Sequence, residues 1–165
     1  LDLRAVHSWP FVVVSSSSVA KYLLVAHQTA ESEELLAAAK DLAQDDPEAE
    51  FVLLVPATPV GKLLVWEEGA TVDVARRRAL SAKARLERLG LRVEAARTGD
   101  QDPTAAIADE MHAGRQYDAI VISTLPAGVS KWLGMDVLSR VRRNFPGHRV
   151  IHVVAAAATG AETPS

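Results

Sequence analysis

The sequence predicts an α/β domain in which helices cover both faces of a parallel sheet. Short apolar runs recur between residues 22 and 154, helical segments with caps or apolar stripes separate them, and glycines such as Gly90 and Gly114 follow the helices. Alternation of strands and helices favours parallel strands joined by right-handed crossovers. We therefore predict one three-layer α/β domain over residues 21–155.

The first half of this domain contains two strong strand patterns. Residues 22–26 (YLLVA) and 51–55 (FVLLV) are short, continuous apolar runs, which are typical of strands covered on both faces. Between them, Thr29 is predicted to cap a helix that ends near residue 43. A connection containing several prolines and glycines then leads to a long amphipathic helix over residues 71–89.

The second half begins with a weaker strand at residues 91–95, whose alternating pattern favours a place near a sheet edge. Asp102 followed by Pro103 is a strong helix start, because the carboxylate caps the helix and proline suits its first position. The remaining elements are a fourth strand, a fourth helix and a fifth strand, predicted at residues 119–122, 135–143 and 149–154.

Composition excludes several classes of function. The net charge is −3, so there is no general attraction to nucleic acid or to an anionic membrane, and no apolar run approaches the roughly 20 residues that span a bilayer. The chain has no cysteine, which fits a cytoplasmic location. Asp109 and His112 are spaced so that they could supply two metal ligands, but no third ligand is evident, and a surface pair is favoured. The basic run at residues 76–78 (RRR) is interpreted as a solvated helix face paired with Asp73 and Glu87.

The two ends of the chain are predicted to lie outside the domain. Residues 1–20 are interpreted as an appended arm or the remnant of a longer polypeptide, since their apolar stretch at 11–14 is shorter than the roughly 7–15 residues of a signal-peptide core. Residues 156–165 are small and polar and are predicted to be a tail.

The end of the fourth strand predicts a ligand site. Ser123 and Thr124 end an apolar run, and a loop and helix start follow, which is where open α/β sheets bind ligands. Ser123, Thr124 and Ser130 could hydrogen-bond a ligand or satisfy strand-end backbone groups. Lys131 could meet phosphate oxygens or remain a solvated loop lysine, and Trp132 could stack on a base or pack into the core.

Together these residues resemble the universal stress protein family, an adenine nucleotide alpha hydrolase-like fold. The resemblance covers residues 21–155 and rests on the VAHQTAESEELL stretch from residue 25, the Gly-Asp-x-Asp-Pro element at 99–103, the YDAIVIST strand and the final VIHVV. It implies an open parallel five-stranded sheet of order 3-2-1-4-5, with a crevice between strands one and four. It also implies a homodimer through the last strand.

The resemblance further implies a cofactor-binding set. Nucleotide-binding members carry G-x2-G-x9-G-[ST] after strand four and an aspartate after strand one. Here the motif positions hold Ser123, Pro126, Asp136 and Val137, and a one-residue slip would place Met135 and Asp136 at the last two, so no motif glycine is kept in either alignment. His27-Gln28 stands where the aspartate is expected. Taken with the loop residues above, the predicted cofactor-binding residues are His27, Gln28, Val55, Ser123, Thr124, Gly128, Ser130, Lys131 and Asp136.

The residues at the motif positions lead to a prediction about phosphate binding. Pro126 has no N–H to donate, and Asp136 is predicted to cap the fourth helix, either as an internal substitute for a phosphate or as an ordinary surface cap. We expect a non-enzymatic regulatory or ligand-binding domain with degraded nucleotide-phosphate binding and no required cofactor. The alternatives are an ATP- or AMP-binding universal stress protein, a nucleotide-using enzyme of the same fold, and a pure protein-interaction module.

Overall fold

The computed structural model describes residues 18–59 and 68–156, so most of the predicted arm and tail lie outside the described residues. Ten helices and strands follow one another within the described ranges. They are β1 (Lys21–Val25), α1 (Glu33–Asp45), β2 (Glu50–Pro56), α2 (Glu68–Arg88), β3 (Arg92–Gly99), α3 (Pro103–His112), β4 (Ala119–Thr124), α4 (Lys131–Gly134), α5 (Val137–Asn144) and β5 (Arg149–Val154).

The five strands form one parallel sheet of order β3-β2-β1-β4-β5, which confirms the predicted fold class and strand order. β1 lies at the centre, where Val25 is opposite both Leu54 of β2 and Ile122 of β4. The weak third strand lies at an edge, as its alternating sequence predicts, and β5 forms the other edge.

Successive side chains of β1 point to opposite faces of the sheet, so each face of the sheet has its own part of the core. Leu24 packs with buried residues of α1 and α2, whereas its neighbour Leu23 packs with those of α3 and α5. Both leucines are fully buried, so the central strand is covered on both sides. The result is the three-layer arrangement expected from its continuous apolar run.

The start of α1 differs from the prediction. The cap is Ser32, whose Oγ accepts from the Leu35 N–H at 3.2 Å, and so the assignment of Thr29 as the cap is wrong. The chain first makes turns in which Ala30 N–H donates to His27 O and Ser32 N–H donates to Thr29 O. These turns delay the helix by three residues and leave the Thr29 hydroxyl free to bond elsewhere.

The predicted fourth helix, residues 135–143, corresponds to α5, and a short helix that was not predicted, α4, precedes it. α4 and α5 are separated at Asp136, whose backbone is left-handed with φ 53°. Its N–H donates to Leu133 O, its carbonyl accepts from Arg140 N–H, and its side chain makes no capping hydrogen bond. The predicted carboxylate cap is therefore wrong, because the backbone of Asp136 makes the turn that separates the helices.

The basic face of α2 makes the predicted ion pairs. On α2, Arg76 lies 3.4 Å from Asp73 and Lys83 lies 3.8 Å from Glu87, as expected of a solvated basic face.

Among the described helices, none is long and apolar enough to cross a bilayer. Within residues 18–59 and 68–156, no group of three or more histidine, cysteine or acidic residues could hold a metal ion.

Gly99 lies where the end of β3 passes closely under α3. A Cβ added at Gly99 would lie 2.7 Å from the Ala106 Cβ and 3.2 Å from the Leu54 Cδ1. We expect Gly99→Ala to lower the free energy of unfolding by about 1–3 kcal/mol through overpacking, as measured by urea denaturation. Gly147→Ala is the matched control, because a Cβ there has no neighbour within 4 Å. Equal stability of the two variants would contradict the close approach.

Candidate functional site

A crevice opens at the carboxyl ends of β1 and β4, because the chain leaves these neighbouring strands toward opposite edges of the sheet. We call it the β1–β4 crevice. Its lining combines the β1–α1 turns, the segment after β2, the end of β4 and the chain that leads into α4. The lining residues are His27, Gln28, Thr29, Thr58, Ser123, Thr124, Leu125, Ser130 and Trp132.

Most of the hydroxyl groups in the lining already have partners. Thr29 Oγ1 donates to the Ser123 carbonyl at 3.1 Å and so joins the β1–α1 turns to the end of β4. Ser130 Oγ accepts from the Leu133 N–H at 3.2 Å, and Thr124 Oγ1 lies 2.8 Å from Nε2 of His152 on β5. The buried Ser123 Oγ is the exception, since it has no hydrogen-bond partner among the described residues.

His27 is oriented by an arginine from α2. Its Nδ1 lies 3.2 Å from Nη1 of Arg78. A guanidinium group can only donate, so we assign Nδ1 as the acceptor and place the ring proton on Nε2. Burial, and then the Arg78 charge, lower the pKa of His27 to about 4. The imidazole is therefore neutral at physiological pH.

The proton on Nε2 of His27 also lacks a partner. The side chain is 5 % exposed, and Nε2 has no hydrogen-bond partner within the described ranges. Buried polar groups in folded proteins are nearly always hydrogen-bonded, so such an atom needs an explanation. The β1–β4 crevice thus combines an unpaired N–H donor with the unpaired hydroxyl of Ser123.

Trp132 narrows the crevice from the α4 side. Its side chain is buried, and its Nε1–H donates to Thr58 Oγ1 at 3.2 Å. The free volume that remains is about 30 Å³. That is room for a water molecule or two, whereas pockets for drug-sized ligands measure roughly 300–1,000 Å³.

The structure brings five of the nine predicted site residues together in this lining, namely His27, Gln28, Ser123, Thr124 and Ser130. Three others lie elsewhere: Val55 is buried within β2, Gly128 is in an exposed turn and Asp136 is exposed before α5. Lys131 begins α4, and its side chain lies outside the described part of the molecule.

Thr58 was not predicted from the sequence to belong to the site, and Arg78 was predicted to have another role. Thr58 lies two residues after the end of the buried strand β2, so the general rule that ligand sites form at the carboxyl ends of strands could have identified it. Arg78 was grouped with the solvated basic face, yet it is half-buried against His27. No local signal separates it from its two arginine neighbours.

Comparison with known proteins shows which fold this chain has, but it shows no closer relationship. No protein-family model matches the chain, and no curated protein is significantly similar to it. Among solved structures, a universal stress protein family member from Burkholderia pseudomallei matches at 19% identity over 81% of this chain and 94% of that one, with TM-score 0.53. The universal stress protein from Archaeoglobus fulgidus matches at 13% identity over 81% and 93%, with TM-score 0.54.

This chain has the universal stress protein fold. The likeness confirms the predicted resemblance at the level of architecture, including the five-stranded order. A universal stress protein in complex with cAMP matches more loosely, at 16% identity with TM-score 0.44.

The loop after β4 is the segment to which the predicted resemblance assigns the glycine motif. Here the N–H groups of Val129 and Ser130 both donate to the carbonyl of Pro126, at 3.2 and 3.0 Å. Gly128, at φ 90°, allows the chain to turn back in this way. Two amides that a phosphate-binding loop would direct at its ligand therefore bond within the loop itself.

Proposed function

We propose that the protein is a non-enzymatic ligand-binding or regulatory domain whose site is the β1–β4 crevice. The observation that supports this most is the pair of buried, unpaired polar groups in the crevice, the Nε2–H of His27 and the hydroxyl of Ser123. Both stand at the topological switch point of the sheet, where α/β folds bind ligands. An acceptor atom on a small molecule would satisfy the imidazole donor.

The chemistry of the lining favours an uncharged ligand. None of the nine lining residues carries a formal charge when His27 is neutral. The bonding of the Val129 and Ser130 amides to Pro126 further supports degraded phosphate binding. We accordingly propose that the domain works without a resident cofactor and without nucleotide turnover.

Thermal unfolding with adenosine, ribose, AMP and ATP tests this proposal. An uncharged molecule at 100 times its dissociation constant is expected to add about 2.7 kcal/mol to the free energy of unfolding. AMP and ATP, which add phosphates to adenosine, are expected to give no further increase in the free energy of unfolding. His27→Phe, which keeps a ring but removes the donor, should reduce the stabilisation, whereas His112→Phe on exposed α3 surface should not. Stabilisation by ATP alone, or ATP turnover, would contradict the proposal.

A protein-interaction module is the second candidate, and β5 is the observation that favours it. β5 lies at an edge of the sheet, and its Val154 is 47% exposed. An exposed apolar edge strand is a surface that proteins usually cover, and a second copy of the chain would cover it. We propose a cytoplasmic homodimer through β5. Val154→Lys is expected to convert it to a monomer in sedimentation equilibrium, and an unchanged mass would contradict this interface.

A further inference from the structure

The two edges of the sheet differ in how they are protected against pairing with another strand. At the β3 edge, the ladder with β2 has a register shift between Phe51 and Val52, and Arg92 and Arg97 each form an ion pair with a glutamate. β5 pairs with β4 in a regular register over all of its six residues. Irregular pairing and charged side chains protect an edge strand. β5 is therefore the edge to which a further strand can add.

The backbone of β5 offers free hydrogen-bonding groups on its outer side. Ala155 N–H donates to Thr124 O at 2.8 Å. The backbone groups of successive residues in a parallel ladder point in alternate directions, so those of Val154 and His152 point away from β4. Within residues 18–59 and 68–156, no strand lies on that side of β5. An extended segment would find a row of donors and acceptors there.

The elements at this edge carry a local excess of positive charge. Residues 137–155 contain four arginines and no acidic residue, although the whole chain has a net charge of −3. Arg140 is paired with Asp102 at 2.7 Å. Arg142 and Arg143 are exposed, and neither forms an ion pair with another of the described residues. Arginines without an internal partner are available to an acidic partner.

The geometry of α5 places Arg142 on the β5 side of the molecule. Residues two positions apart in a helix lie about 200° apart around its axis, so Arg140 and Arg142 occupy opposite flanks of α5. Arg140 reaches Asp102 at the start of α3, so Arg142 projects from the flank that faces away from α3. Burial, and then the Arg142 charge, lower the pKa of His152 on β5, which agrees with a guanidinium close to this edge.

The opposite face of β5 is apolar. Ile151 and Val153 pack against the part of the core that α1 covers. At the end of the strand, Glu34 of α1 accepts from the Ala156 N–H at 3.0 Å. Side chains of an added strand would alternate between the two faces. A matching strand therefore carries acidic residues toward α5 and apolar residues toward α1.

We propose that β5 is a docking edge for an extended segment of a partner protein with alternating acidic and apolar residues, whose acidic side chains lie beside Arg142. This inference rests on the second candidate function and names its partner class. A second copy, paired antiparallel across a two-fold axis perpendicular to the sheet, would place α5 beside α5 and bring two basic flanks together. Like charges oppose that pairing, whereas an acidic strand is attracted, so the acidic segment competes favourably for the same edge.

Titration with short blocked peptides tests the proposed partner chemistry. A peptide of alternating glutamate and valine is expected to bind, with a dissociation constant that rises as salt is added, because the attraction involves exposed charges. A peptide of alternating lysine and valine, and a glutamate–valine peptide with methylated backbone nitrogens, are expected not to bind. Equal binding of the acidic and basic peptides would overturn the inference. So would a homodimer that excludes the acidic peptide.

Charge reversal at Arg142 tests its position at the docking edge. Arg142→Gln should raise the dissociation constant of the acidic peptide about threefold, as expected for one exposed charge pair, and Arg142→Glu should reverse the preference toward the lysine–valine peptide. Arg88→Glu is the matched control, since Arg88 is an exposed arginine in the last turn of α2, which packs on the β3 side of the sheet.

Two outcomes separate this inference from the function on which it rests. An unchanged peptide preference in Arg142→Glu would overturn the inference. If no peptide binds, the inference also fails, while a homodimeric mass in sedimentation equilibrium would still support the second candidate function.

Discussion

Lowering the pH from 7.5 to 4.5 is expected to remove about 2.5 kcal/mol from the free energy of unfolding through His27 alone. The pKa of His27 is about 4 in the folded protein and 6.5 when the side chain is free in water. Below pH 6.5 the unfolded chain therefore takes up a proton that the folded protein excludes. Stability that is fully present above pH 6.5 is lost as the pH falls toward 4.

Urea denaturation of matched variants across this pH range isolates the effect. His27→Asn retains an oxygen near the position of Nδ1 that can accept from Arg78, and it cannot be protonated in this range. It should lose about 2.5 kcal/mol less than wild type between pH 7.5 and 4.5. His112→Asn, on the exposed end of α3, is the matched control for a histidine-to-asparagine substitution. Parallel pH profiles for wild type and His27→Asn would show that His27 titrates freely in the folded state.

Replacing Glu110 with alanine is expected to destabilise the protein by about 3 kcal/mol, at the lower end of the range for breaking a buried ion pair. The Glu110 side chain is 5% exposed, and its Oε1 accepts from Arg97 and from the Tyr117 hydroxyl, each at 2.6 Å. Arg115 lies 3.3 Å from the same oxygen. Burial and the Glu110 carboxylate raise the pKa of Tyr117, so its hydroxyl stays protonated and donates.

The three partners of Glu110 should contribute unequally to the loss of stability in Glu110→Ala. Arg97 and Arg115 are partly exposed and can be hydrated when the carboxylate is removed, but the Tyr117 hydroxyl is buried and would lose its hydrogen-bond partner. Tyr117→Phe alone should cost about 1 kcal/mol. The double variant should therefore be more stable than the sum of the two single effects predicts. Strict additivity in urea denaturation would indicate that the hydroxyl and the carboxylate do not interact.

These two sites lie in different parts of the molecule and have different consequences for function. The Glu110 cluster joins α3, the edge strand β3 and the chain before β4, so we expect its loss to lower stability without altering ligand affinity. His27 lines the β1–β4 crevice, so its substitution should change both the pH profile and ligand binding. Measuring both properties on both variants separates a stability role from a site role.

Local patterns in the sequence determined the architecture. Continuous apolar runs identified the central strands, because strands covered on both faces have no solvent-facing side that would carry polar residues. Asp102 and Pro103 identified the start of α3, and Asp102 Oδ1 accepts from the Thr104 N–H at 2.8 Å as a cap should. Gly90 and Gly114 have positive φ after α2 and α3, which glycine adopts without a steric penalty. Each of these signals depends on residues within a few positions of one another.

Only the tertiary structure decided the details of the crevice. The bond between Trp132 and Thr58 joins residues 74 positions apart, and the bond between His27 and Arg78 spans 51 positions. No periodicity or capping rule reports such pairs, because they depend on where the strands end relative to the helices around them. The sequence alone therefore predicted a polar candidate site beside the fourth strand, and the packing of distant segments determined which donors lack partners and which side chains line the crevice.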